Sequence, residues 1–232
     1  MISTSIIVPV FNEEKTIITV LKKINEIKKS LNLEIVIIND GSTDNSKKLI
    51  DQNIKYFDKV KHLKKNLGKG KAIIEGLKIS SMDHVFFQDS DMEYDPIDLI
   101  KFIKIAENYN ADLIMGSRFI ASKRSVLNFW HMLGNKFITF LFNFLNNTTF
   151  TDIYCCYCLF ERKKLQVNKL KSFGWGQQAE ILTYLAFNAN KIYESAVSYD
   201  GRKYQEGKKI KYYHVIEVIY WIIATRLKTL IK

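Results

Sequence analysis

HVFFQDSDMEYDP, residues 84–96, is the stretch from which the rest of the chain can be read. An apolar run of strand length, 84–88, stops at Asp89. Asp95 and Pro96 then carry the signature of a helix N-cap and first helical position, with the helix expected to run to about Asn108. An acidic turn therefore lies between the end of one strand and the start of a helix. Carboxylates at Asp89 and Asp91, two residues apart on a turn, can aim oxygens at one hard cation. Mg²⁺ or Mn²⁺ held this way keeps waters and completes its shell from substrate phosphates. Such an ion stabilises the negative charge that develops on a departing nucleoside diphosphate. D-x-D by itself is a common solvated turn; its place at a strand's carboxyl end gives it weight.

The flanking sequence has the same alternation. SIIVPV (5–10) and EIVII (34–38) are buried-strand runs, and Ile17, Val20, Leu21, Ile24 and Ile27 fall on one helical face between them. A short helix is expected near 43–52, a weaker strand from Val60 to Leu63, a helix at about 71–80 and a strand at 112–116. Strands alternating with helices predict a mostly parallel sheet covered on both faces. Ligands then sit beyond the carboxyl ends of the strands, where the loops at Phe11–Glu13, Asp40–Asp44 and Asp89–Asp91 all open. Asp40 can accept a hydrogen bond from a base N–H; the bland alternative is that Asp40 or Thr43 caps the next helix, a role that suits Thr43 better. Gly68, Lys69 and Gly70 precede a helix N-terminus, where amides and one cation can meet a phosphate.

Length and composition suit one folded domain, since 47% apolar residues over 232 exclude extensive disorder. The 35 Lys+Arg against 24 Asp+Glu give +11, which fits an anionic membrane face or a phosphorylated substrate as well as nucleic acid, or simply a Lys-rich composition. No common RNA-binding signature appears, and a non-catalytic basic module leaves the acidic residues at three strand ends unexplained. Cys155, Cys156 and Cys158 have no second ligand pair and read as small buried hydrophobes. Their lack of distant partners favours a reducing compartment, and the N-terminus reads as a first strand, not a signal peptide. Segments 126–147 and 215–231 are aromatic-rich but too interrupted to cross a bilayer. They are expected to be amphipathic helices. Each packs on the core or a partner copy, or lies in a membrane interface with Trp130, Trp221 and the lysines at headgroup depth.

VPVFNEE (8–14), NDGSTD (39–44), NLGKGKA (66–72), QDSDMEYDP (88–96) and GSRF (116–119), in that order, resemble the family 2 inverting glycosyltransferases of GT-A fold. TDIYCCYCLF (151–160), FGWGQQAEI (173–181) and SYDGRKYQEGKKI (198–210) are similar to the dolichyl- or polyprenyl-phosphate sugar synthase branch. The resemblance implies that Pro9, Phe11 and Glu13 line the base and ribose pocket and that Asp40 reads the base. It places Lys69 and Asp89 on the donor, with Asp91 as principal ligand of Mg²⁺ or Mn²⁺ and Glu93 as a further metal-side group. It gives Arg118, Arg202, Lys208 and Lys209 to the acceptor phosphate and donor diphosphate. It also implies a single displacement that inverts the anomeric centre. A phosphate acceptor is already nucleophilic near neutral pH, so positioning and charge neutralisation should supply most of the rate. Asp152 is the best candidate for a catalytic base or orienting carboxylate, or else caps a turn, and Glu180 is a second candidate.

The expectation is a single glycosyltransferase domain over 1–232. It divides into a nucleotide-sugar half (about 1–120), an acceptor half with amphipathic helices (about 121–212) and a C-terminal amphipathic helix (about 213–232). The enzyme would move a hexose from a UDP- or GDP-sugar to a lipid phosphate, peripherally, at the cytoplasmic face of a membrane. Two amphipathic segments, a small membrane anchor protein or a homo-oligomer would provide docking, with no nucleic acid involved. The alternative is transfer to a saccharide, lipid or protein hydroxyl in cell-envelope glycan assembly, with Asp152 or another carboxylate as an essential base. Asn39, Tyr154, Cys158 and the pair Gln177-Gln178 depart from the branch's usual residues, and most of these changes fall on the acceptor side.

Overall fold

The computed structural model describes residues 1–121, 128–201 and 214–231. Strands β1 (Thr4–Val10) and β2 (Leu33–Asn39) are buried along their whole length, as continuous apolar runs in a parallel sheet require. With β3 (Lys59–His62), β4 (His84–Phe87), β5 (Leu113–Ser117), β6 (Cys158–Glu161) and β7 (Ile192–Ala196) they form one sheet. Its order is β3-β2-β1-β4-β6-β5-β7. The neighbours β3, β2, β1 and β4 are parallel, as are β5 and β7, while β6 runs antiparallel between β4 and β5. The mixed α/β, mostly parallel fold class holds; the alternation foretold neither the antiparallel insertion of β6 nor the strand β7.

Helix α1 (Ile17–Lys28) buries Ile17, Val20, Leu21, Ile24 and Ile27, the face its periodicity predicted. Helix α2 (Ser46–Gln52) is short, and α3 (Lys69–Ile79) follows the glycine-rich loop. The expected helix after Asp95 begins as a 3₁₀ turn at Pro96–Asp98, capped when Ile97 N donates to Asp95 Oδ1 at 3.3 Å, and becomes α4 at Leu99–Tyr109. Helix α3 lies flush on β1 because residue 76 is glycine; a Cβ there would land on Ile7 Cγ2. The three cysteines are buried and free, packed as small hydrophobes.

The second half adds α5 (Phe129–Asn146), α6 (Gln177–Asn188) and α7 (His214–Leu230). Helix α7 buries Val218, Ile222, Thr225 and Thr229, while Ile216, Tyr220, Ile223, Leu227 and Leu230 stay exposed. Helix α5 likewise exposes Phe129, Trp130, Leu133, Phe137, Phe140 and Phe144. Trp130 is 76% exposed, as an interface anchor would be, but Trp221 is half-buried over Gly176, where any side chain would meet its ring. Among the described residues no helix is long and apolar enough to cross a membrane.

At the amino edge of the sheet Glu34 is buried and accepts from Ser5 Oγ at 2.5 Å, Ser81 N at 2.9 Å and Ser81 Oγ at 2.7 Å, beside Lys59 Nζ at 2.6 Å. Burial pushes its pKa up, but Lys59, Ser5 and Ser81 more than offset that and bring it from 4.5 to about 2. A carboxylate lowered on folding stabilises the fold above its unfolded pKa and loses that contribution as pH falls through the folded one. Urea stability should therefore drop between pH 4.5 and about 2. Glu34→Gln should lower stability at neutral pH and flatten part of that slope; Glu75, which Lys61, Lys78 and Lys71 bring down to about 2, and Asp44 and Asp112, also lowered, share the remainder. An unchanged slope in Glu34→Gln would contradict the assignment.

Candidate active site

The carboxyl ends of β1, β2 and β4 are tied into one surface by their own loops. Asn12, in the left-handed region at φ 55°, donates from its backbone N to Ser42 Oγ at 3.1 Å and accepts from Thr43 N at 2.8 Å. Glu13 N donates to Ser46 Oγ at 2.9 Å, and Asn45 N to Glu14 Oε2 at 2.9 Å. Thr43 therefore serves the Asn12 loop; the residue before α2 is Asn45, without a side-chain cap. Asp40 does not cap α2 either. Its carboxylate accepts from Leu67 N at 2.8 Å and Gly68 N at 2.9 Å, fixing the loop that launches α3. Burial raises the Asp40 pKa even against those two bonds. Gly41, at φ 66°, lets the Asp40 loop cross directly over the Lys65–Asn66 backbone.

The acidic turn is anchored from below. Ser90 Oγ donates to Pro9 O at 2.9 Å, and Thr16 Oγ1 bridges Ser90 O at 2.7 Å and Glu13 Oε2 at 2.9 Å. Met92, at φ 65°, reverses the chain, and Glu93 N donates to Asp91 Oδ1 at 3.1 Å. Phe11, Glu13, Asp89 and Asp91 are all half-buried at this edge. Asp89 Oδ1 lies 2.5 Å from Lys69 Nζ, which in turn is 3.7 Å from Cys156 Sγ. Desolvation favours loss of the Lys69 proton, but the Asp89 charge outweighs it and the pKa rises, so the ammonium persists. Glu93 Oε2 accepts from Tyr199 Oη at 3.1 Å.

On the opposite side Arg118 and Asp152 form a bidentate pair, Nε to Oδ2 at 2.6 Å and Nη2 to Oδ1 at 2.9 Å. Asp152 is fully buried and accepts further from Arg118 N and Tyr154 N, both at 3.2 Å. Both its oxygens accept hydrogen bonds, and two of these hold the Arg118 side chain in place. The Arg118 guanidinium lies 5.3 Å from the Tyr199 ring centre, which joins this pair to Glu93. Burial first, then the Glu93 charge, push the Tyr199 hydroxyl up to about 12. Glu180 is fully buried and accepts from Lys171 N and Ser172 N, which holds that loop to α6. Arg202, Lys208 and Lys209 lie outside the described residues.

The sequence reading missed Thr16, Tyr199, Cys156 and Glu194, whose Oε1 accepts from Thr151 N at 2.7 Å and so steadies the Asp152 turn. Tyr199 carried a weak signal, standing beside the basic stretch, whereas the others have none in local pattern.

A family model, Glycosyl transferase family 2, matches residues 5–167. A Methanocaldococcus jannaschii protein of uncharacterised function is 30% identical over 204 residues, 83% of this chain and 86% of its own length. Dolichol-phosphate mannosyltransferase of Pyrococcus furiosus is 32% identical over 117 residues, covering 50% of this chain but 33% of the enzyme. Among solved structures, glucosyl-3-phosphoglycerate synthase from Mycobacterium tuberculosis, in complex with Mn²⁺, UDP and phosphoglyceric acid, superposes with a TM-score of 0.69 at 19% identity. That match covers 98% of this chain and 78% of that one, and the likeness is one of fold.

The buried pair generates a sharp expectation. Asp152→Ala leaves the Arg118 charge without a partner and should cost about 3–5 kcal/mol in urea unfolding. Arg118→Met combined with Asp152→Ala should cost less than the sum of the two single changes. Simple additivity would contradict the pairing.

Proposed function

The chain belongs to glycosyl transferase family 2, and from that premise we propose that it moves a hexose from a UDP- or GDP-sugar to a polyprenyl or dolichyl phosphate at a membrane surface. The observation that carries the donor side is the acidic turn itself: a carboxylate at the sheet's ligand edge that already holds a cation, the Lys69 ammonium. Oxygen donors at Asp89 and Asp91 suit Mg²⁺ or Mn²⁺. Among the described residues no three His, Cys, Asp or Glu side chains gather around a metal position. That fits an ion that draws its remaining ligands from water and the donor's phosphates. When bound, the ion neutralises charge growing on the leaving diphosphate.

The chain's own residues do the rest. Pro9, Phe11 and Glu13 border the base and ribose, and Asp40 fixes the loop that delivers Lys69 to the diphosphate. Arg118, braced by Asp152 and Tyr199, presents a rigid guanidinium to the acceptor phosphate. A phosphate oxygen attacks C1 from the face opposite the nucleoside diphosphate. The new C1–O bond forms as the bond to the diphosphate breaks, and the configuration inverts. Commitment of both Asp152 oxygens to Arg118 favours a phosphate acceptor, which needs little deprotonation, over a hydroxyl acceptor, which needs a base. On this reading residues up to about 120, Arg118 excepted, serve the donor and the following segment serves the acceptor.

For the membrane, the support is the exposed apolar stripes on α5 and α7, which belong to packed neighbouring helices of a chain with net charge +11. An apolar face flanked by lysines binds an anionic interface without crossing it. A peripheral position, on its own helices or with an anchor protein or second copy, follows from this reading.

Two experiments test these parts separately. Transfer from a UDP- or GDP-sugar to a short polyprenyl phosphate should require Mg²⁺ or Mn²⁺ and fall about 100-fold or more in EDTA or in Asp91→Ala. Full activity in chelator would refute the metal role. In flotation with anionic liposomes the protein should rise with the vesicles, and Trp130→Glu with Phe140→Glu should leave it at the bottom at unchanged Tm. Flotation that ignores both changes would place the docking face elsewhere.

A further inference from the structure

The acidic turn and Lys69 raise a question that the proposed metal role leaves open. An ammonium 2.5 Å from Asp89 Oδ1 occupies that oxygen and repels a divalent ion brought to the same turn. The two cations compete for one charge. The Lys69 backbone is not free to carry its side chain away. The preceding Gly68 N is pinned to Asp40 Oδ2 at 2.9 Å, and a Cβ on Gly68 would sit 2.7 Å from Phe173 O. The following Gly70 N donates to Phe173 O at 3.0 Å. The side chain can move, because it is 47% exposed on an unbranched stem while Asp89 is 18% exposed. Its other contact, Cys156 Sγ at 3.7 Å, is a weak acceptor whose loss costs little.

We propose that Lys69 is an exchangeable stand-in for the metal: it holds the Asp89 charge until the donor's diphosphate draws its ammonium away and lets the divalent ion in. This rests on the metal reading above and adds to it an order of events. The diphosphate is the stronger partner for Lys69, offering several anionic oxygens to a compact point charge. Metal and nucleotide then bind as a coupled pair, since each removes the obstacle to the other, and the coupling is reciprocal. Lys69 acts here as a positioning residue whose ion pair sets how much metal the protein holds without its donor.

Titration of Mn²⁺ into the full chain, following free Mn²⁺ by its EPR signal with and without UDP, tests the exchange. Lys69→Gln should bind Mn²⁺ alone ~5-fold tighter than wild type, the effect of releasing one partly exposed ion pair. The tightening caused by UDP should shrink by about the same factor. Equal tightening with and without UDP would mean a fixed neighbouring charge and would overturn the exchange. So would Mn²⁺ affinity unchanged by Lys69→Gln, provided that Asp91→Asn still abolishes binding and so preserves the metal site. Mn²⁺ binding with UDP that is absent in wild type, or unaffected by Asp91→Asn, would remove the metal reading and the exchange together.

Discussion

A carboxylate held half-buried at the end of a strand needs a cation, and much of the catalytic edge is arranged around that need. Asp89 follows β4 by two residues, where the apolar run has ended, and the parallel strands on its side of the sheet bring the β1 and β2 loops to the same edge. Ser90 then ties the turn to β1, and Thr16 ties it to the start of α1. Lys69 meets it, delivered by a loop whose backbone Asp40 holds.

Across the site a second ion pair follows different rules. Arg118 and Asp152 are nearly sealed from solvent and bound at both oxygens, so their geometry is fixed and their charges already balanced. Lys69 and Asp89 are more open and joined by one contact. The open pair suits exchange with a ligand; the sealed pair suits presentation of one rigid guanidinium edge. Tyr199 links the two regions by facing Arg118 with its ring and Glu93 with its hydroxyl.

Much of this was legible in the sequence. Buried parallel strands are continuous apolar runs, so β1, β2 and β4 and the loops after them could be located, and α1 matched its predicted face residue for residue. The rest depended on pairings that no local pattern carries. The insertion of β6 antiparallel between β4 and β5 is a tertiary event. Asp40 meets a loop 27 residues away, and Arg118 meets Asp152 at a separation of 34. Both carboxylates stand out in the sequence, but the partners the fold gives them do not: one meets a loop and the other an arginine. The aromatic character of Trp221 suits packing or a membrane interface equally, and the glycine at 176 leaves a hollow that its ring fills.

The account turns on where a divalent ion sits relative to this turn. A crystal grown with UDP and Mn²⁺, with anomalous difference density recorded for manganese, measures that directly. The account predicts a peak shared between the Asp91 carboxylate and the UDP phosphates, with Lys69 Nζ moved from Asp89 to a phosphate oxygen. A peak away from the turn, or UDP bound with no manganese and the Lys69–Asp89 pair intact, would contradict it.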